Sequence, residues 1–197
     1  MSSDTRARIL GAARGLVEAA DGALPSMSEI ARAVGISRQA LYLHFPDRAS
    51  LLLALVAYVD EREALEAEIA AVENMPDAAG QIRAWVRMQS RRNPKIAPFT
   101  RALDQVRNSD LAASAAWRDR TDNRMRGAVA IISRLREEGR LHPSWDAEEG
   151  AALLWELTSF RVWDDLVNEA GLTADRYVEI ATTTALAALN GPVSQQN

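Results

Sequence analysis

Apolar residues recur at helical spacing along this chain, and the pattern predicts an all-α protein. The first stripe, Ile9, Leu10, Ala13, Leu16 and Val17, predicts a helix over 4–20, which Gly22 and Pro25 end in a turn. A second stripe, Leu51, Leu52, Leu55, Val56 and Val59, predicts a helix from Arg48 that continues towards Val72. Asn74 to Asp77 interrupt it, with Pro76 as breaker and Asp77 as the next cap. Further helices are expected over 78–92, 96–108 and 110–139, with Asn93-Pro94 separating the first two. Asp110 is expected to cap the third, whose apolar positions are Leu111, Trp117, Met125, Val129, Ile132 and Leu135, and Gly139 to close it. Asp146 caps the next, over 147–170, and the last begins at Thr173 or Asp175 and runs to Asn190. These two are apolar around much of their girth, so each must be covered on several sides. A second copy of the chain is the natural cover, and the small-residue face Ala181, Thr184, Ala185 and Ala188 suits close helix packing.

Between the first two stripes lies a denser signal, 26–45. Ser26 and Glu29 have capping-box spacing, and Ile30, Ala31 and Val34 form one helical face. Gly35 supplies a left-handed stop, and Ser37 is a second N-cap candidate for a short helix over 38–44. Leu41 and Phe45 turn inward, leaving Arg38, Gln39, Tyr42 and His44 outward. A helix-turn-helix places its second helix in the DNA major groove, and those outward side chains suit phosphates and base edges. Arg38 and Gln39 are the candidates for base edges, and small Ala40 would let the helix enter deeply and touch a thymine methyl. Ser26 or Ser28, at a helix N-terminus, can add a phosphate contact. Ser37 either caps or touches phosphate, with capping favoured, and Arg48 is expected on the DNA backbone.

The run from Ser26 to Leu51 resembles the DNA-binding region of TetR-type transcriptional regulators. Ala31, Gly35, Ile36, Ser37, Leu41, Tyr42, His44, Phe45 and Leu51 match the family pattern, and Arg48 stands where Lys is more common. The resemblance implies an N-terminal three-helix helix-turn-helix domain over 1–47, a helical ligand-binding and dimerisation domain over 48–191, and leaves a polar tail over 192–197. It also implies that Tyr42 and His44 contact phosphates, and that the first helix braces the motif while Arg6 and Arg8 touch phosphate or are merely solvated. Dimerisation through the last two long helices and, most often in this family, repression follow from the same resemblance. On that footing Trp85, Met88, Gln89, Phe99, Leu103, Trp117, Thr121, Met125, Trp155 and Phe160 are candidates to line a cavity for a small apolar or aromatic effector, although each is equally a plain core residue.

Composition narrows the remaining choices. The chain has 197 residues, 48% apolar and 25% charged, which suits a folded globular protein. Its net charge of −4 requires any DNA contact to be local, and the acid is concentrated after residue 60. Without cysteine there are no disulfides or thiolate metal sites. His44 and His142 are the two histidines, and no Walker, G-x-S-x-G or H-x-x-x-H pattern occurs, so neither enzyme, metal nor cofactor is expected. No apolar signal core or membrane-length run appears, so a cytoplasmic location without membrane contact is expected. The rival reading is a helical interaction protein whose helix-turn-helix no longer binds DNA.

Overall fold

The structure, a computed structural model, describes residues 2–62, 64–106, 108 and 111–191. The helices are α1 (Ser2–Ala19), α2 (Met27–Val34), α3 (Arg38–His44), α4 (Arg48–Arg62), α5 (Leu65–Glu73), α6 (Ala78–Val106), α7 (Leu111–Glu137), α8 (Ala147–Leu157), α9 (Phe160–Asp164) and α10 (Ala174–Leu189). A π-helical turn, Asp165–Glu169, continues α9. Among the described residues there is no strand, only an antiparallel bridge between Leu141 and Asn190. The expected cap at Asp110 and the tail over 192–197 lie outside the described residues.

The chain packs as two compact units, Met1–Leu65 with Ile96–Arg120, and Glu66–Lys95 with Thr121–Asn197. In the first unit, Ile9, Ala13 and Val17 of α1 pack with Ile30 and Ala31 of α2, Leu41 and Phe45, and the apolar stripe of α4. Phe99, Ala102 and Leu103 of α6 belong to the same core. Gly22 sits at φ +91°, where an added Cβ would meet the Pro98 carbonyl oxygen at 2.8 Å. Arg101 pairs with Asp21 at 2.6 Å, so the α1–α2 loop is held by both shape and charge.

The core of the second unit joins Ile82, Trp85 and Met88 of α6 with Ile131, Ile132 and Leu135 of α7, Leu154 of α8 and Leu189 of α10. A smaller cluster holds Val86, Trp163, Tyr177 and Ala181. Asp146 and Glu149 form a capping box at α8, Thr173 caps α10, and Gly139 takes φ +66° after α7.

The boundaries differ from the sequence expectation at several points. The helix from Arg48 stops at Arg62, and Ala64 adopts φ +52° although no glycine or proline marks the break. The physical reason is that α4 buries its stripe in the first core, whereas Val72 of α5 belongs to the second. Conversely, α6 runs unbroken through Pro94 and Pro98. Each proline removes a helical N–H and disfavours the helix by about 3 kcal/mol, yet Asn93, Ala97 and Phe99 around them are buried, and that packing outweighs the loss.

The helix expected over 147–170 is divided at Thr158 and Ser159. Thr158 Oγ1 donates back to the Leu154 carbonyl at 2.8 Å, and Ser159 Oγ accepts the Val162 N–H at 3.1 Å. Both hydroxyls compete with the main-chain ladder and start α9 afresh. Leu111, placed in an apolar stripe, is exposed. Ala181 and Ala185 face their own chain's interior, so the expected small-residue face on α10 is not open to a second helix; Arg176, Glu179, Thr183, Thr184 and Ala187 are the exposed positions.

Candidate nucleic-acid interface

The helix-turn-helix is built from local hydrogen bonds. Ser26 Oγ accepts the Glu29 N–H at 3.2 Å, while the Glu29 carboxylate accepts the Ser26 N–H at 2.7 Å. These bonds to Ser26, with the nearby Arg32 and Arg48 charges, hold the Glu29 carboxyl below its usual range. Gly35 takes φ +75°, and its N–H and that of Ile36 return to carbonyls of α2. Ser37 Oγ accepts the Ala40 N–H at 3.1 Å, so its hydroxyl caps α3. Asp47 caps α4 through Ser50, whose hydroxyl and N–H keep the Asp47 carboxyl low.

Two of the arginines do something that neither solvation nor phosphate contact anticipates. Arg8 donates to the Val34 carbonyl at 3.0 Å, satisfying a helix-end acceptor of α2, and the Arg6 guanidinium lies 4.7 Å from the Phe45 ring centroid. Arg48 likewise donates to the Leu24 carbonyl, which joins the start of α4 to the loop before α2.

With Leu41 and Phe45 fully buried, α3 is fixed in rotation. Arg38 and Gln39 are exposed, Ala40 and His44 half-buried, and Tyr42 is 41% exposed. Ser26 and Ser37 are exposed and Ser28 is half-buried beside them. Leu43 is 88% exposed, and with Gln39 and Tyr42 it lines a shallow depression on the helix surface. Sequence reasoning missed Leu43, although its position gives it away: two residues on from buried Leu41, it points to the opposite side of the helix.

The ligand-lining candidates fall into separate groups. Trp85 and Met88 are buried in the second unit's core, with Met125 and Trp155 packed against it. Gln89 is buried on the same helix, and the Thr121 carbonyl accepts the Trp155 indole N–H at 3.3 Å. Phe160 packs on Trp163 with ring centroids 5.9 Å apart. Phe99, Leu103 and Trp117 instead belong to the core around the helix-turn-helix.

Around the break after α8 is a dense polar cluster. Trp85 Nε1 donates to Thr158 Oγ1 at 3.1 Å. Arg124 donates to the Thr158 carbonyl at 3.1 Å and the Trp155 carbonyl at 3.0 Å, with its guanidinium 4.6 Å from the Trp155 ring centroid. Tyr177 donates to the Leu157 carbonyl at 3.0 Å; burial pushes its phenol up to about 12, against the opposing pull of the Arg124 charge. Together these donors take up carbonyls at the C-terminal end of α8.

Residues 9–55 match the family model described as bacterial regulatory proteins, tetR family. The chain belongs to the TetR family. Solved TetR-family structures share its fold over nearly the whole length. One is a transcriptional regulator from Pseudomonas aeruginosa, 19% identical, covering 95% of this chain and 92% of its own, with a TM-score of 0.76. Another is a putative transcriptional regulator from Saccharomonospora viridis, solved in complex with choline; it is 18% identical, covers 96% of this chain and 100% of its own, and has a TM-score of 0.76. The nucleoid occlusion factor SlmA of Alteromonas mediterranea is 36% identical over 59 residues, which are 30% of this TetR-family chain and 30% of that protein. Among the described residues no group of three metal-ligating side chains occurs, and no single helix is long and apolar enough to cross a membrane.

Proposed function

We propose that this TetR-family protein is a sequence-specific transcriptional repressor that binds an inverted-repeat operator as a dimer and releases it on binding a small molecule. The observation that carries the reading is the rotation of α3: two buried anchors, Leu41 and Phe45, leave Arg38, Gln39, Tyr42 and Leu43 exposed on one short, capped helix. Arg38 and Gln39 read base edges, Ala40 permits close approach, and Leu43 meets thymine methyls or sugar. Tyr42 and His44 contact phosphates, joined by Ser26, Ser28 and Arg48 at the margins, while Ser37 remains the cap.

The dimer forms through the last helices, α8 with α9, and α10, using the side of α10 that carries Thr183, Thr184 and Ala187. Two copies then present α3 to major-groove faces roughly 34–36 Å apart or a multiple of it. The region over 1–47 is the DNA-binding part, and the helices after it bind ligand and partner, in the cytoplasm. A small, mostly apolar molecule that prefers the DNA-incompetent dimer shifts the population away from the operator. The choline bound to the Saccharomonospora viridis neighbour supports a small-molecule response in this fold. Nothing in the chain's chemistry favours catalysis.

The test is fluorescence anisotropy with the protein's own upstream DNA and a scrambled duplex at two salt concentrations. Tight binding to the first, weakening steeply with salt as counterions are released, is expected. Equal, weak binding to both, together with no enrichment of any genomic fragment, contradicts the proposal in favour of a helical interaction protein.

A further inference from the structure

On α6 the positions Val86, Ser90 and Asn93 share one helical face (spacings of four and three). Val86 packs with Trp163, Tyr177 and Ala181, and Phe160, Leu166 and Val167 lie against that cluster. In this otherwise apolar region two strong donors have no acceptor: the indole N–H of Trp163 and the side-chain amide nitrogen of Asn93. Trp163 is 4% exposed and Asn93 2% exposed. A buried donor left unmatched destabilises a folded chain, so such groups are few and each calls for a reason. Next to Trp163 the backbone is also irregular: α9 passes directly into the π-helical turn Asp165–Glu169, closed by the Ala170 N–H on the Asp165 carbonyl at 2.8 Å. Single π turns inside helices recur at functional sites.

We propose that Asn93 and Trp163 are the hydrogen-bond donors of a small-molecule site within the second unit, which takes a compact, mostly apolar ligand through a carbonyl-type oxygen. The residues supply what such a ligand needs. Phe160, Leu166 and Val167 offer apolar cover, and the two N–H groups offer direction without charge. Beside Asn93, the buried Arg92 guanidinium has the Glu68 carboxylate 3.9 Å away, so a ligand carboxylate would meet positive charge there. A ketone, lactone or amide and a carboxylate share the same acceptor chemistry, and the probes distinguish them. The assignment deepens the ligand-responsive reading and rests on it only for the consequence at DNA.

The experiment uses the full chain without DNA and three probes of similar size: phenylacetone, phenylacetate and propylbenzene. Thermal unfolding is followed with each, and the Trp163 indole N–H resonance, assigned by its loss in Trp163→Phe, is followed by NMR. Phenylacetone or phenylacetate is expected to raise Tm by about 2–4 °C at a few times its Kd and to move that resonance, with propylbenzene doing neither. A larger effect of phenylacetate assigns the anion; a larger effect of phenylacetone assigns the neutral carbonyl. Asn93→Leu and Trp163→Phe, each checked by circular dichroism, are expected to lose the shift, and either folded variant suffices. If neither oxygen-bearing probe raises Tm, if all three raise it equally, or if a folded variant keeps the full shift, the site is overturned and the donors hold only solvent. A chain that binds a probe but no DNA retains this site and loses the regulator reading; one that binds DNA but no probe does the reverse.

Discussion

The helix-turn-helix and the region around α8 and α9 satisfy their polar groups in opposite ways. In the first, partners are three residues apart: Ser26 with Glu29, Ser37 with Ala40, Asp47 with Ser50. In the second they come from distant helices: Trp85 to Thr158, Arg124 to Thr158 and Trp155, Tyr177 to Leu157. Local closure leaves Arg38, Gln39 and Tyr42 with nothing to do inside the protein, which is what a surface for another molecule requires. Long-range closure makes the α8–α9 break depend on side chains of α6, α7 and α10. The first region is thus a rigid reader and the second a network that a bound molecule could rearrange.

That contrast breaks most visibly at Arg124. Arg124→Ala leaves two main-chain carbonyls without their charged donor and removes the stacking on Trp155, so unfolding free energy should fall by about 2–4 kcal/mol in urea titration. A loss below about 0.5 kcal/mol would mean that solvent serves those carbonyls equally well. On the other side of the comparison, Arg38→Ala should weaken binding to a preferred duplex by about 1–3 kcal/mol and flatten the preference among sequences. Tyr42→Phe should weaken all duplexes alike, because a phosphate contact carries no sequence information. Uniform weakening by Arg38→Ala, measured by anisotropy on a panel of duplexes, would move Arg38 to the phosphate class.

A smaller effect sharpens the local half. Ser26→Ala should lower stability by about 1 kcal/mol in chemical denaturation. The Glu29 carboxyl sits low because the folded state binds its proton less well, so its share of stability is present above the ordinary carboxylate range and fades as pH falls through it. In Ser26→Ala that acid-side slope should shrink. Smallest, and at the opposite end of the pH scale, is Tyr177. Its folded pKa is raised from 10.0 to about 12, so the stabilisation it supplies is whole below pH 10 and disappears as pH rises towards about 12. Tyr177→Phe should remove that alkaline slope in a stability-versus-pH series, whereas an unchanged slope would assign it to other groups.

The same contrast explains what was legible in the sequence. Capping boxes at Ser26 and Asp146, the left-handed Gly35 and the buried pair Leu41 and Phe45 announce themselves by spacing, because their partners are neighbours in the chain. Leu43 was recoverable by the same reasoning and was overlooked as one more apolar residue. Pro94 and Pro98 misled in the other direction: they carry a strong local signal against helix, but burial of the residues around them keeps α6 continuous. Ala64 carries no local signal, since the end of α4 follows from which core each helix joins. The break at Thr158 depends on Arg124, Trp85 and Tyr177, none closer than 19 residues in sequence. The scatter of the ligand-lining candidates has the same origin: Phe99 and Trp85 lie on one helix, α6, yet join different cores.

The central claim is that the exposed face of α3 reads DNA sequence. The most direct measurement is selection from a random-sequence duplex library with the wild-type chain and with Arg38→Ala/Gln39→Ala in parallel. The account predicts that the wild type enriches an inverted repeat with half-sites about one helical turn apart, or a multiple of it, and that the variant loses that motif while keeping weak, salt-sensitive affinity. A wild type that enriches no motif, or a variant that enriches the same one, would contradict it.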